Sequence, residues 1–254
     1  MLNKLKYDIL DRPLALAKTH DYCLSGRPTA TVVMLHGIAS NSGTFAGLLK
    51  FLEGTQAMRN VRFVTFDLLG AGESYKSDKL RYDYQEQLLA LHNSIEKLDA
   101  DGPVVLLGHS MGTLIATRYA DQHRRMVKRL ILVSPPIYRP EDFENPLFQQ
   151  GLEGFKKALA LKNRATLKDP AFENEMKLIV SNKKNYDVLL RVARPTRLIY
   201  GELDEIIAQF NIPGVVKANP LITATKTPGR HGVTPDKYGK VLEVLEEEVK
   251  DETA

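Results

Sequence analysis

Six runs of strand length alternate along the chain with stretches of helical pattern. They are TVVML (31–35), RFVTFDL (62–68), PVVLLG (103–108), RLILVS (129–134), TRLIYG (196–201) and LITATK (221–226). Several are continuously apolar rather than alternating, which suits strands buried on both faces, as in a parallel sheet. Between them, 43–53 carries Phe45, Leu48, Leu49 and Leu52 on one helical face, and 84–98 carries Leu88, Leu89, Leu91, Ile95 and Leu98. Helices are also expected over 111–122 and over 233–249, the latter with Val241, Leu242, Val244, Leu245 and Val249. Strand alternating with helix predicts βαβ units and an α/β architecture, a mostly parallel central sheet flanked by helices. Near the N-terminus, ALAKTH (15–20) follows the turn Asp11-Arg12-Pro13 and is expected to pair with KYDIL (6–10) as a hairpin.

The alternation breaks once. Residues 136–195 hold no convincing strand, and divide the core into 1–135 and 196–254. Phe148, Leu152, Phe155 and Leu159 recur at helical spacing, as do Phe172, Met176 and Ile179; Val188, Leu189 and Val192 suggest a third helix, ended by Pro195. This helical insertion is rich in large rings: Tyr138, Phe143, Phe148, Phe155, Phe172 and Tyr186. One reading makes them its packing against the main domain. The other places one or two of them, with Tyr138, Phe143, Phe148 and Phe155 as candidates, along a substrate pocket, because ligand sites favour clefts.

Charge and cysteine content exclude several classes. With 35 basic and 31 acidic residues in 254, the net charge of +4 is small and spread out. The densest basic cluster, His123-Arg124-Arg125 to Lys128-Arg129, falls at a predicted helix end and suits the helix dipole and solvent. No aromatic interleaving or binding motif accompanies it, so no nucleic-acid partner is expected. Cys23 is the single cysteine, which precludes an internal disulfide and fits a cytoplasmic setting. No apolar run approaches the roughly 18 residues of a membrane span, and the N-terminal stretch lacks the apolar core of a signal peptide.

The joint between the third run and the following helix reads Gly108-His109-Ser110-Met111-Gly112. A serine at a sharp strand-to-helix turn takes a strained backbone conformation, and the positions two before and two after it crowd each other and need glycine. The turn lifts the hydroxyl above the sheet edge, beside a helix N-terminus. Exposure and a positive field are what a nucleophile requires. The motif alone is weak; the flanking strand and helix strengthen it.

With this elbow in place, the chain resembles the α/β-hydrolase superfamily, of the serine carboxylesterase and monoglyceride-lipase-like kind, over nearly its whole length. MLHGIAS (34–40) is similar to that family's HG turn, DLLGAGES (67–74) to its D-x-x-G-x-G-x-S segment, and GHSMG to its elbow. GELD (201–204) is similar to the loop carrying the acid and GRHGV (229–233) to the loop carrying the histidine, and 136–195 sits where the family inserts a helical cap. The resemblance implies Ser110 as nucleophile, His231 as general base and Asp204 as the acid that orients it, in the chain order this fold uses. Of six histidines, His231 alone follows both Ser110 and that acid; Glu202 and Glu205 remain alternatives to Asp204. It implies an oxyanion hole from the backbone N–H groups of Ile38 and Met111. His36 is then expected to brace the oxyanion loop, and His109 to pack or hydrogen-bond below the site. Asp67, Gly70, Gly72 and Ser74 do not make a dinucleotide fingerprint, since Tyr75 stands at its sixth position; a turn closed by local hydrogen bonds is expected.

Two positions depart from the family pattern: Thr113 replaces a frequent third glycine, and Arg230 precedes the histidine. A serine at the elbow also argues against the dehalogenase and epoxide-hydrolase chemistry of the fold, which uses an aspartate. The implied activity is hydrolysis of a small or medium apolar carboxylic ester through an acyl-enzyme, with no metal or organic cofactor. Thioester, lactone, amide or carbon–carbon cleavage would use the same residues, and a ligand-sensing protein with slow turnover and a protein partner would retain them.

Overall fold

The computed structural model describes residues 13–146, 149–151, 153–155, 157, 170–180 and 185–251. Their seven strands are β1 (Ala17–Tyr22), β2 (Ala30–Leu35), β3 (Val61–Asp67), β4 (Val104–His109), β5 (Val127–Val133), β6 (Thr196–Gly201) and β7 (Ile222–Thr227). They form one sheet in the order β1-β3-β2-β4-β5-β6-β7. Every adjacent pair is parallel except β1 with β3. The six runs read from the sequence are β2 to β7, each within two residues of the expected ends.

The continuous apolar runs have a simple cause. Side chains alternate across a strand, so a strand covered on both faces needs apolar residues at every position. On one face Val32, Met34, Phe63, Val105, Leu107, Ile131, Val133 and Ile199 form a cluster with Leu48, Leu49 and Leu52 of helix α1 (Ala46–Glu53). The same cluster takes Val241, Val244 and Leu245 from the C-terminal helix over Pro235–Asp251. On the other, Val33, Leu35, Val64, Phe66, Leu106, Leu130, Leu132 and Leu198 pack with helices α2 (Tyr84–Glu96) and α3 (Met111–Gln122). Asp83 caps α2, its carboxylate accepting the N–H of Glu86 at 3.0 Å.

Between β5 and β6 the described residues contain helix and turn but no strand. Helix α4 (Pro170–Val180) buries Phe172, Met176 and Ile179, at the spacing expected, and α5 (Asn185–Leu190) buries Val188 and Leu189. A polar joint seats these helices on the core. The Arg118 guanidinium lies 4.0 Å over the Tyr84 ring and donates to Asn185 Oδ1 at 2.8 Å, while Asn185 Nδ2 donates to Leu178 O at 2.9 Å. Phe148, Leu152 and Leu159 lie outside the described residues.

Helix α6 (Ile212–Ala218) was not expected from the sequence. Its seven residues include Pro213 and Gly214, poor helix formers that conceal it. The C-terminal helix over Pro235–Asp251 is α7. No helix among the described residues is long and apolar enough to cross a membrane.

The N-terminal strand pairs with a strand that the sequence did not suggest. Residues 6–10, its expected hairpin partner, lie outside the described residues; among the described residues β1 pairs with β3, antiparallel. Asp21 fastens this edge: Arg62 donates to both its carboxylate oxygens, at 2.7 and 2.9 Å, and also to Leu98 O at 2.8 Å. The hydrogen bond from Arg62 holds the Asp21 pKa down at about 2. Its contribution is therefore present above the unfolded carboxylate pKa and is lost as the pH falls towards 2. Asp21→Asn should lower stability at neutral pH by about 0.5–1 kcal/mol, the range for partly exposed pairs. Denaturant unfolding at neutral and acid pH checks this: the difference from native should shrink below about pH 4.

Candidate functional site

The site is built on the C-terminal ends of adjacent parallel strands, where α/β sheets hold their ligands. β4 runs directly into Ser110, β6 leads to Asp204, β7 to His231, and β2 to His36-Gly37. Sheet topology thus gathers residues that are far apart in sequence.

Ser110 has φ 51° and ψ −120°, a region side chains rarely enter. Its N–H donates to Val133 O at 3.0 Å, anchoring the turn to β5. The glycines two residues either side answer to crowding. A Cβ on Gly112 would stand 2.1 Å from Leu35 O, and one on Gly108 would stand 2.7 Å from the Gly112 backbone. The departure at Thr113 has a local use: its hydroxyl donates to Ser110 O at 2.6 Å, as its N–H does at 2.9 Å.

The structure brings Ser110, His231 and Asp204 together. The Ser110 Oγ and His231 Nε2 are 2.9 Å apart, across 121 residues of sequence. On the far side of the ring, Nδ1 lies 3.0 Å from both carboxylate oxygens of Asp204. A carboxylate only accepts, so Nδ1 carries the proton and Nε2 presents its lone pair to the serine hydroxyl. Ser110 and Asp204 are buried, and the His231 side chain retains 17% exposure, which leaves an opening to solvent. Burial pushes the Asp204 pKa up, but the hydrogen bond and charge of His231 and the N–H of Ile206 outweigh it, and the carboxyl stays below its ordinary value. Glu202 and Glu205 point away from the ring: Glu202 pairs with Lys226 at 2.9 Å and Glu205 with Arg230 at 3.2 Å, both at the surface. The Arg230 side chain therefore faces solvent rather than the site.

Of the two expected backbone donors, Met111 follows the serine directly and Ile38 follows Gly37. Met111 opens α3, so its N–H has no carbonyl one turn earlier to serve. Gly37, next to Ile38 in the chain, packs so closely on the elbow that its Cβ would lie 3.0 Å from Ser110 Cβ. The Ile38 N–H makes no hydrogen bond among the described residues. His36 is fully buried and links this turn to β3: Leu68 N–H donates to its Nε2 at 2.9 Å, and Nδ1 donates to Gly37 O at 2.8 Å. Burial lowers its pKa and keeps it neutral. Asp67 accepts from Ser42 N–H and Glu73 N–H, at 2.7 and 2.8 Å, closing the turn as the sequence suggested.

The insertion reaches the site through Phe155, whose ring centroid is 6.2 Å from that of His231. Tyr138 is only 3% exposed and donates its hydroxyl to Ile206 O at 2.6 Å, so it braces the acid loop from within rather than standing at an entrance. Phe143 packs edge-on against Tyr138, centroids 5.8 Å apart. Phe148 lies outside the described residues. Two residues meet the main chain of the His231 loop: Lys237, which escaped the sequence reading, and His109, which bonds below the site as expected. Lys237 is fully buried and His109 hydrogen-bonds the His231 main chain. No pattern distinguishes Lys237 from the other lysines of its helix. Among the described residues no cluster of three or more His, Cys, Asp or Glu could hold a metal ion.

A family model for the alpha/beta hydrolase fold matches residues 30–169, more than half of the chain. This chain belongs to that family. Lipase 1 of Psychrobacter immobilis is 25% identical over 228 residues, 84% of this chain and 69% of that protein. An Arabidopsis thaliana protein named "Probable lysophospholipase BODYGUARD 5" is 29% identical over 119 residues, 46% of this chain and 27% of that protein. The chain thus covers about a quarter of the length of the plant relative it matches. Among solved structures, an esterase from Exiguobacterium antarcticum superposes with a TM-score of 0.68 at 20% identity, covering 94% of this chain and 98% of that one. That likeness is one of fold.

Crowding at the elbow makes a direct prediction. Gly112→Ala drives a Cβ into rigid backbone and should cost roughly 3 kcal/mol, the upper end for overpacking. Gly239→Ala, on an exposed helical position with nothing within 4 Å of the new Cβ, should instead stabilise by about 0.5–1 kcal/mol. Urea midpoints of the two variants check both signs.

Proposed function

We propose that this chain is a serine hydrolase that cleaves a small or medium apolar carboxylic ester through an acyl-enzyme. The observation that carries this reading is the continuous contact Ser110 Oγ to His231 Nε2 to Asp204, at 2.9 and 3.0 Å. The names of the relatives, a lipase and a lysophospholipase, support the ester bond as the target.

Each step uses this arrangement of side chains. Ser110 Oγ attacks the ester carbonyl carbon while Nε2 of His231 takes the hydroxyl proton. The imidazolium so formed is stabilised by the ionised Asp204, which also holds the ring in the productive tautomer. Negative charge gathers on the former carbonyl oxygen, where the N–H groups of Met111 and Ile38 receive it; one such donor is worth about a hundredfold or more in rate. The tetrahedral intermediate collapses, the leaving alkoxide takes the proton from Nε2, and Ser110 is left acylated. Water then attacks with His231 again as base, which releases the acid and restores the serine.

The apolar preference rests on the insertion. Phe155 lies tilted beside His231, and the half-buried Phe143 packs on the adjoining core. We place residues 136–195 as a cap over the site, with Phe155 at its contact with substrate.

The test is a series of chromogenic esters from acetate to laurate, followed over many turnovers. Native protein should turn over repeatedly and Ser110→Ala should be folded and inactive; a single sluggish reaction with each ester would favour a sensing protein instead. Phe155→Ala should shift kcat/KM between short and long esters by about tenfold, or about 1.4 kcal/mol, at nearly unchanged Tm. A uniform loss on every ester would make the ring simple packing. Asp204→Asn should lower kcat by about three to four orders of magnitude, whereas Glu205→Gln should leave it near native.

A further inference from the structure

Two consecutive carbonyl groups at the base of the histidine loop are each held by a buried donor, one from the end of β4 and one from the first turn of α7. His109 Nε2 lies 2.9 Å from His231 O, and Lys237 Nζ lies 2.7 Å from Arg230 O. His109 is the last residue of β4 and the immediate neighbour of Ser110. The backbone segment that bears the base is therefore tied to the strand that bears the serine.

The protonation pattern at His109 is fixed by this contact. A carbonyl only accepts, so Nε2 carries the proton and Nδ1 is bare. Nδ1 is buried and has no partner among the described residues. Burial, and then the charge of the nearby His231, hold the His109 pKa down at about 3, so the ring stays neutral. The ring centroids of the two histidines are 5.2 Å apart. A side chain present only to fill space would not need a buried nitrogen with nothing to bond; the bond that matters is the one from Nε2.

Lys237 is stranger still. It lies in the first turn of α7, where the helix dipole disfavours a cation, and it is fully buried. Its ammonium is nonetheless well partnered, by Arg230 O, by Thr234 Oγ1 at 3.3 Å and by Asp236 Oδ2 at 3.1 Å. Asp236 in turn accepts from Thr227 Oγ1 at 2.6 Å, at the end of β7. All the contacts of this charge lead to the loop that carries His231.

We propose that His109 and Lys237 are positioning residues for His231, pinning the carbonyls of residues 231 and 230 so that its imidazole meets Ser110 and Asp204 at once. The inference rests on the reading of His231 as the base. A loop freed to shift by about 1 Å would cost on the order of a hundredfold in rate, because proton transfer depends on that alignment.

The decisive comparison is His109→Gln with His109→Asn. The glutamine amide nitrogen falls near the place of Nε2 and can still donate to His231 O; that of asparagine falls near Nδ1 and cannot. Turnover of p-nitrophenyl butyrate is read as kcat and KM, alongside the low-field proton NMR signal of the His231 Nδ1–H bonded to Asp204. The expected result is a kcat loss of at least about tenfold for asparagine with KM within about twofold, and a glutamine variant within about threefold of native. The NMR signal should broaden or shift in asparagine and persist in glutamine. Lys237→Met should show the same kcat loss and the same change in the NMR signal. Equal kcat and an undisturbed signal in both His109 variants would overturn the role of His109, and a native signal and kcat in Lys237→Met would overturn that of Lys237. The NMR reading does not need turnover. Loss of the ester activity assignment, seen as native protein that never turns over, is therefore distinct from loss of the positioning claim.

Discussion

The structure depends on one close approach of backbone to backbone. Gly112, at the start of α3, lies against the carbonyl of Leu35 at the end of β2, with no room for a side chain between them. That approach lets α3 begin directly above the sheet edge, and it forces the chain between β4 and α3 to reverse within a few residues. Ser110 sits at the apex with φ 51°, fastened to β5 through Val133 O. Strain at a single residue persists only where its surroundings determine it, and here two adjacent parallel strands and a helix do so. The same contact brings the turn after β2 beside the elbow, with Gly37 packed against Ser110.

A second constraint concerns charge. The carboxyl of Asp204 is buried and stays ionised because a ring N–H and a backbone N–H serve it. His36 and His109, both neutral by burial, surround the site without adding charge to it. His231 keeps contact with solvent, which suits a group that must gain and lose a proton. The buried donors beneath it act on the main chain rather than on the ring, and leave the imidazole free to change charge in place.

Legibility in the sequence followed the physics of each feature. Strands β2 to β7 were readable because burial on both faces leaves a continuous apolar run, and β6 matches its expected bounds at both ends. The elbow was readable because steric crowding permits only glycine at 108 and 112. The edge strand β1 gave no sign of its partner, since its exposure pattern is mostly polar and its pairing with β3 is set by tertiary contact such as Asp21 with Arg62. Helix α6 was hidden by Pro213 and Gly214. The choice among Glu202, Asp204 and Glu205 turned on which carboxylate points inward, a matter of loop geometry that spacing cannot give. Tyr138 was a candidate for the pocket wall, and its hydroxyl is committed to Ile206 O, because a ring's polar tip can be absorbed by any nearby carbonyl. Lys237 carries no sequence signal at all: its burial depends on a loop folding back over it.

The central claim is that Ser110 becomes acylated during turnover. The most direct measurement is acid quench of the protein mixed with a slowly deacylated ester, followed by proteolysis and peptide mass spectrometry. The account predicts one acyl group, on the peptide containing Ser110 and localised to that residue, formed at a rate no slower than steady-state turnover. Continued turnover with no adduct at Ser110, or an acyl group mapped to any other residue, would contradict it.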